Sequence, residues 1–285
     1  MILFKKGDDL ASYLLQKKKE EKAIGFVPTM GALHNGHLSL IGTSKRVSGI
    51  TVCSIFVNPT QFNDPKDFQK YPSTIEQDIY FLERNNTDVL FLPSVEEIYQ
   101  KGTGQLEHYE LGYLETILEG KYRPGHFQGV CQVMKRLMDI VEPHHLFMGQ
   151  KDYQQCMVIK KLLGIMNHPA VFHTCPTSRE ADGLAMSSRN MRLGENERKN
   201  AVAIYKALSY LKKNIHPGNL GDPIAASKNI LFQSNFKIDY VEIADAGTLR
   251  LTHEYNGLQP LIALIAAFQN EIRLIDNMII NGEQN

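Results

Sequence analysis

The sequence predicts an α/β fold, in which a parallel sheet with helices on both faces is followed by a smaller α+β domain. Up to about residue 177, short apolar and β-branched runs alternate with longer amphipathic stretches, which is the pattern of successive β-α-β units. From residue 178 onward, helical stretches come first and apolar strands follow. We therefore expect a Rossmann-like domain over residues 1–177 and a smaller C-terminal domain over residues 178–285.

The first β-α-β unit has the strongest pattern. Residues 23–29 are predicted to form a strand, residues 36–47 a helix and residues 50–57 the next strand, which is almost continuously apolar, as expected for a strand covered on both faces. In the stretch 125–141, apolar residues recur at helical spacing and are expected to face the core. The remaining elements of this domain are predicted as helices at 74–85, 125–141 and 153–167, and as strands at 88–92, 145–148 and 170–174.

The C-terminal domain follows a different order. Its helices are predicted near 197–213 and 223–233, and its strands at 238–244, 261–268 and 272–275. No repeat or low-complexity tract interrupts this arrangement.

Composition narrows the classes of partner. Lys+Arg and Asp+Glu are equal at 31 each, so no overall positive charge recommends a nucleic acid or an anionic membrane. The longest apolar run, residues 261–268, is far shorter than the roughly 20 residues that cross a bilayer, and the first residues lack the charge order of a signal peptide. The four cysteines form no C-x-x-C pair and are expected to be buried, reduced and not catalytic. We expect a cytoplasmic protein that acts on small molecules.

A turn with the sequence PTMGALHNGH, residues 28–37, follows the first strong strand. Gly31 and Gly36 have the spacing of a phosphate-binding P-loop, but the next residue is His37 where that motif has lysine. His34 and His37 supply only two of the three or four ligands that zinc needs. A helix that begins at Gly36 would direct its N–H groups and positive dipole end at an anion, with both histidines beside it. The alternative is that the histidines only cap or pack the turn.

Three other polar segments follow predicted strands or loops. They are residues 58–62 (NPTQF), 149–152 (GQKD) and 186–189 (MSSR). Each is weak alone, because Lys151-Asp152 and Ser187-Ser188 also suit helix caps and surface turns. Ligands of open α/β sheets collect at the carboxyl ends of the strands, so we expect these segments to converge there on one edge.

Taken together, five strings of this chain resemble the pantoate–β-alanine ligase family of the nucleotidylyltransferase superfamily. They are VPTMGALHNGH, SIFVNPTQF, RPGHFQGV, GQKDYQQ and READGLAMSSRN. The resemblance implies an ATP-dependent joining of pantoate to β-alanine through an enzyme-bound pantoyl adenylate, with release of AMP and pyrophosphate. It also implies Mg²⁺ with ATP, a homodimer, and a C-terminal domain that acts as a lid to keep the adenylate from water.

The resemblance assigns roles to matching positions. Catalytic roles fall on His37, as proton donor, and on His34, Lys151 and Arg189. Pantoate is assigned to Gln61 and Gln155, with Gln61 also near β-alanine and Asn58 supporting that pocket, and Asp78 is assigned to the Mg²⁺ ion. The ATP-binding residues would be Met30, Gly31, Ala32, Leu33, His34, Asn35, Gly36, His37, Gly149, Gln150, Lys151, Asp152, Ser178, Met186, Ser187, Ser188 and Arg189.

Two positions depart from the family pattern. Gln150 stands where the family usually has glutamate, and Ser178 stands where an apolar residue is common. Backbone contacts at these positions would be unaffected, whereas a role that needs a carboxylate at position 150 would be in doubt.

Other functions remain as alternatives from the residues alone. Another nucleotidylyltransferase would keep the histidines but has no reason to carry NPTQF and KDYQQ together. A tRNA-charging enzyme would normally present a basic RNA surface, which this balanced chain lacks. A non-catalytic metal- or nucleotide-binding module would explain His34 and His37 but not the other segments.

Overall fold

The computed structural model describes residues 1–63, 65–104 and 106–282. The chain divides into two compact units, of which the first comprises Met1–Gly149 and Gln154–Cys175 and the second comprises Gln150–Tyr153 and Pro176–Asn285. The short stretch Gln150–Tyr153 thus belongs to the second unit although the chain on either side of it belongs to the first. The domains predicted at 1–177 and 178–285, and the lid role of the second, stay predictions.

A six-stranded sheet forms the centre of the first unit. Its strands are β1 (Ile2–Phe4), β2 (Ile24–Thr29), β3 (Ile50–Ile55), β4 (Val89–Phe91), β5 (His145–Gly149) and β6 (Val171–Cys175). They lie in the order β1-β4-β3-β2-β5-β6, and every neighbouring pair is parallel. The predicted parallel sheet is therefore confirmed. The sequence did not reveal β1, because a strand of three residues is too short to show a period.

Helices cover both faces of this sheet. They are α1 (Gly7–Lys19), α2 (Asn35–Val47), α3 (Pro65–Gln69), α4 (Ile75–Arg84), α5 (Val95–Ile98), α6 (Tyr113–Thr116), α7 (Leu118–Tyr122), α8 (His126–Val141) and α9 (Tyr153–Ile165). Side chains of a strand alternate between faces, so Phe26 joins a core that includes residues of α1, α8 and α9, whereas Val27 joins a second core with residues of α2 and α4.

The strand order reverses next to β2. On one side of β2 the chain runs on to β3 and β4, and on the other side it returns through β5 to β6. In an open α/β sheet the crevice for a ligand lies at such a reversal, outside the carboxyl ends of the strands. The turn after β2 therefore occupies the position in the first unit where a ligand is expected.

The second unit contains an antiparallel sheet and two long helices. Its elements are α10 (Glu195–Asn214), β7 (Gly218–Asn219), α11 (Gly221–Gln233), β8 (Lys237–Asp245), β9 (Glu254–Tyr255), β10 (Leu261–Gln269) and β11 (Ile272–Ile279). The three long strands pair in the order β11-β10-β8, and β7 pairs with β9. The α+β prediction is confirmed, but β11 extends past the predicted end at residue 275, because the polar residues Asp276 and Asn277 continue the strand while buried.

The four cysteines agree with the expectation from composition. All four cysteines are free and buried, and burial raises the pKa of Cys53 and of Cys131 to about 12, so neither thiol ionises near neutral pH. Over the described ranges, no helix combines the length and the apolar character that crossing a membrane requires.

Candidate active site

The turn between β2 and α2 has an unusual backbone. β2 ends at Thr29, and α2 begins at Asn35 with His34 as its N-cap, one residue earlier than the predicted helix start. Gly31 and Ala32 both lie in the left-handed region, with φ of +82° and +48°. Glycine takes this conformation freely, but a residue with a Cβ such as Ala32 costs about 1–2 kcal/mol there. Other contacts must therefore hold the turn in place.

Asp78 on α4 supplies these contacts. The residue is 0% exposed, and its carboxylate oxygens accept hydrogen bonds from the N–H groups of Ala32 at 2.9 Å and Leu33 at 2.8 Å. Thr74 Oγ1 donates a third bond, at 3.1 Å. Three hydrogen-bond donors offset the cost of burying the carboxylate, and the two that belong to the turn link it to α4.

This geometry does not fit the predicted role of Asp78 as a ligand of Mg²⁺. Both of its oxygens already bind the turn or Thr74. Asp78 is accordingly a positioning residue for the turn.

The two histidines cap α2 reciprocally. His34 Nδ1 accepts from the N–H of Gly36 at 3.2 Å, and His37 Nδ1 accepts from the N–H of His34 at 3.3 Å. The ring centroids lie 4.1 Å apart. A nitrogen that accepts a hydrogen bond carries no proton, so the neutral rings carry their protons on Nε2. Capping and ligand binding are therefore compatible, because the cap sets the tautomer that makes each Nε2 a donor.

The electrostatics of α2 favour an anion at this end. Its first turn contains no acidic residue, and Lys45 and Arg46 lie in its last turn. The N-terminal N–H groups and the helix dipole therefore present positive potential that no neighbouring carboxylate of that turn cancels.

The NPTQF segment forms a short 3₁₀ turn after β3, with buried Asn58 at its start. Asn58 Nδ2 donates to Gln61 Oε1 at 3.2 Å and to the carbonyl of Gly129 at 3.1 Å, while its Oδ1 accepts from the Tyr99 hydroxyl at 2.8 Å. Gln61 Nε2 in turn contacts Met30 Sδ at 2.9 Å. The structure thus brings the predicted substrate residues Asn58 and Gln61 against the histidine turn.

Sequence reasoning missed the support that α8 gives to this segment. His126 Nδ1 lies 2.8 Å from the carbonyl of Gln61. A Cβ at Gly129 would fall on the carbonyl oxygen of Thr60, so only glycine lets α8 come this close. The signal in the sequence is the string RPGHFQGV, which places a histidine and a glycine in the first turn of an amphipathic helix but does not by itself specify their partners.

Two adjacent glutamines of α9 differ sharply in their surroundings. Gln154 is buried; its Oε1 accepts from the N–H of Glu119 at 2.9 Å, and its Nε2 donates to the carbonyls of Leu114 at 2.8 Å and Ile117 at 2.9 Å. Gln155 is half-buried, and its side chain makes no hydrogen bond within the described part of the chain. Gln154 therefore supports the fold, whereas the side chain of Gln155 takes no part in the hydrogen bonding of the described residues.

In the second unit, the segment Gln150–Asp152 forms a 3₁₀ turn that is held by Asn277. Asn277 Nδ2 donates to the carbonyls of Gln150 and Lys151, both at 2.8 Å, and its Oδ1 accepts from Gln150 Nε2 at 3.2 Å. Lys151 Nζ lies 3.7 Å from Asp152 Oδ1. At position 150, where the resemblance leads us to expect glutamate, the amide of this chain therefore bonds to another amide.

Backbone and side-chain hydrogen bonds together organise the segment from Ser178 to Arg189. The carbonyl of Ser178 accepts from the N–H of Met186 at 3.0 Å, and Ser187 Oγ accepts from the N–H of Arg189 at 3.3 Å, which caps the 3₁₀ turn Ser188–Arg192. Ser187 thus has the capping role that the sequence left open, and this contact of Ser178 does not depend on its side chain.

Comparisons with known proteins agree over nearly the whole chain. A family model described as Pantoate-beta-alanine ligase matches residues 2–279. Proteins named pantothenate synthetase are 44% identical in Cytophaga hutchinsonii, over 98% of this chain and 99% of that protein, and 45% identical in Acetivibrio thermocellus, over 95% and 96%.

Solved structures of this group are similar as well. The pantothenate synthetase of Thermus thermophilus is 35% identical, with a TM-score of 0.90 over 99% of this chain and 100% of that chain. The pantoate-beta-alanine ligase of Francisella tularensis, complexed with beta-gamma ATP and beta-alanine, is 36% identical, with a TM-score of 0.82 over 98% of each chain.

The positioning role of Asp78 predicts a loss of stability in the absence of any ligand. Asp78→Asn replaces one acceptor by a donor that faces a backbone N–H, so the free energy of unfolding should fall by about 1–3 kcal/mol. Urea unfolding without Mg²⁺ or ATP measures this. As a control, Asp139→Asn removes an exposed carboxylate that pairs with Lys135, and it should cost at most about 0.5 kcal/mol. Equal stability of Asp78→Asn and the wild type would contradict the role.

Proposed function

The chain belongs to the pantoate–β-alanine ligase family and ligates pantoate and β-alanine with ATP, and we propose that it does so through a pantoyl adenylate. Pyrophosphate leaves in the first half-reaction and AMP in the second. The observation that carries this proposal is the reciprocal histidine cap at the start of α2, at the reversal of strand order.

In the first half-reaction, a carboxylate oxygen of pantoate attacks the α-phosphorus of ATP, and the bond to pyrophosphate breaks. The protein must hold two anions together while negative charge spreads over the phosphoryl oxygens. His34 and His37 contribute neutral Nε2–H donors, and Lys151 and Arg189 contribute positive charge.

The cap refines the role of His37. Its Nδ1 already accepts from the N–H of His34, so loss of the Nε2 proton would leave an imidazolate, which is a poor state at neutral pH. We therefore assign to His37 the donation of a hydrogen bond to a phosphoryl oxygen, where the sequence suggested proton transfer. Mg²⁺ belongs to the proposal as the companion of ATP, with no step assigned to it, because Asp78 does not fit as its ligand.

In the second half-reaction, the uncharged amine of β-alanine attacks the carbonyl carbon of the adenylate. The bond between that carbon and the phosphate oxygen breaks, AMP leaves, and the amine loses a proton. No protein nucleophile is required, and the four buried thiols are consistent with that. Gln61 and Gln155 bind pantoate through amides that donate and accept without added charge, while Asn58 orients Gln61.

A cytoplasmic location and a homodimeric assembly complete the proposal. Both rest on the resemblance to the family, and light scattering of the purified protein measures the assembly directly.

Isotope exchange tests the two-step course. With ATP, pantoate and labelled pyrophosphate but no β-alanine, label should enter ATP, because formation of the adenylate is reversible. Omission of pantoate should abolish the exchange, and addition of β-alanine should give AMP. Exchange that does not need pantoate, or its absence while AMP still forms with all substrates, would overturn the two-step course.

Two substitutions at position 37 separate the cap from the donor. Asparagine places its amide near the former Nδ1, so His37→Asn should keep the stability of the fold and lower kcat by about 10² or more through loss of one donor. Glutamine reaches toward the former Nε2, so His37→Gln should retain more activity but lose about 1 kcal/mol of stability through the cap. Steady-state kinetics and urea unfolding measure both. Equal turnover of the wild type and His37→Asn would leave His37 only its capping role.

The adjacent glutamines of α9 form a matched pair. Gln155→Ala should raise the KM for pantoate by about 3- to 10-fold, the value of one neutral hydrogen bond, with the stability unchanged. Gln154→Ala leaves three buried backbone groups without their partner and should lower the free energy of unfolding by about 1–3 kcal/mol, with the KM for pantoate essentially unchanged. If Gln154→Ala raises the KM for pantoate and Gln155→Ala lowers the free energy of unfolding, the two roles are the reverse of those assigned.

A further inference from the structure

Two adjacent residues of β11, Asp276 and Asn277, are polar and almost completely buried. They are 4% and 2% exposed, in a strand whose other buried residues are apolar. Burial of such groups costs free energy unless each is hydrogen-bonded, so their hydrogen-bond partners indicate which segments they stabilise.

The side chain of Asn277 makes three hydrogen bonds to one segment, Gln150–Asp152. Its Nδ2 donates to the carbonyls of Gln150 and Lys151, and its Oδ1 accepts from Gln150 Nε2. The three bonds converge on two consecutive residues of a short 3₁₀ turn, which lacks the regular hydrogen bonding of a long helix. Asn277 therefore holds the backbone from which the Lys151 side chain extends.

Asp276 binds a second segment, Ser178–Arg189, through Arg179. Its carboxylate accepts two hydrogen bonds from Arg179, at 2.6 Å and 3.1 Å, and Arg179 also donates to the carbonyl of Asn277 at 3.2 Å and to that of Gly183 at 3.0 Å. Arg179 directly follows Ser178, and the Arg179–Ala185 bridge leads into the segment 186–189. A paired, bidentate guanidinium is the arrangement that lets a buried carboxylate be tolerated.

We propose that Asp276 and Asn277 form a double clamp, which holds the segments Gln150–Asp152 and Ser178–Arg189 on one rigid strand, and that Asn277 is a positioning residue for Lys151. The inference rests on the proposed role of Lys151 at the phosphates of ATP. The ammonium group of a lysine lies at the end of a long, flexible side chain, so the region that it can reach is set by the position of its backbone. A small displacement of a group that binds the transition state lowers the rate strongly.

Asn281 offers a matched control in the same unit. Its Nδ2 donates to the Tyr255 hydroxyl at 2.7 Å and to the carbonyl of Gln259 at 3.1 Å, and its Oδ1 accepts from the N–H of Leu261 at 2.9 Å. Asn277→Ala and Asn281→Ala thus each remove a side chain that makes three hydrogen bonds, but only the first touches a segment assigned to ATP.

Steady-state kinetics with thermal unfolding test the clamp. Both variants should lower the Tm, but only Asn277→Ala should lower kcat/KM for ATP, by about 10- to 100-fold, with the KM for β-alanine unchanged. In a Lys151→Ala background, Asn277→Ala should lower kcat/KM for ATP by less than about twofold more, because both substitutions then remove the same contribution.

The outcomes separate the two proposals. If Lys151→Ala lowers kcat/KM for ATP but Asn277→Ala and Asn281→Ala do not differ in it, Asn277 only stabilises the fold and the clamp is overturned. If Asn277→Ala is as damaging without Lys151 as with it, Asn277 does not act through Lys151. If Lys151→Ala leaves the kinetics of ATP unchanged, the role of Lys151 in the proposed function falls, and the positioning role falls with it.

Discussion

A buried carboxylate, that of Asp78, accepts hydrogen bonds from two consecutive backbone N–H groups in the turn after β2. These bonds hold Ala32 in a left-handed conformation that it would otherwise avoid, and this places His34 at the N-cap of α2. The support of Ala32 and Leu33 comes from α4, whereas the first N–H groups of α2 are capped locally, with Gly36 bonded to His34 Nδ1. The geometry assigned to ATP therefore depends on a residue that is itself sealed from solvent.

A phosphate at this turn, as proposed, accounts for a histidine rather than another residue as the cap. Serine, threonine, aspartate and asparagine are the usual N-caps, but a carboxylate there would repel a phosphate. A neutral imidazole accepts from the backbone with one nitrogen and donates outward with the other. The reciprocal arrangement of His34 and His37 gives two such donors from one turn, and it leaves the helix dipole uncancelled.

The sequence predicted the fold well, because strands covered on both faces and amphipathic helices leave strong periodic patterns. It predicted the histidine turn as well, but not how the turn is held. The resemblance assigns Asp78 to a metal ion, and one sequence does not say that a buried carboxylate faces two backbone N–H groups instead. Asn277 was missed because its partners lie 127 positions away at Gln150. Gln154 and Gln155 are adjacent and alike in type, so only their different faces of α9 tell them apart.

The fate of the carboxylate oxygens of pantoate shows whether pantoate attacks the α-phosphorus of ATP, as proposed. Pantoate that carries ¹⁸O in its carboxylate is allowed to react with ATP and β-alanine, and the products are analysed by mass spectrometry. We expect one ¹⁸O atom in AMP and none in pyrophosphate, because the attacking oxygen leaves with the α-phosphate. Label in inorganic phosphate with formation of ADP, or AMP without label, would contradict this expectation.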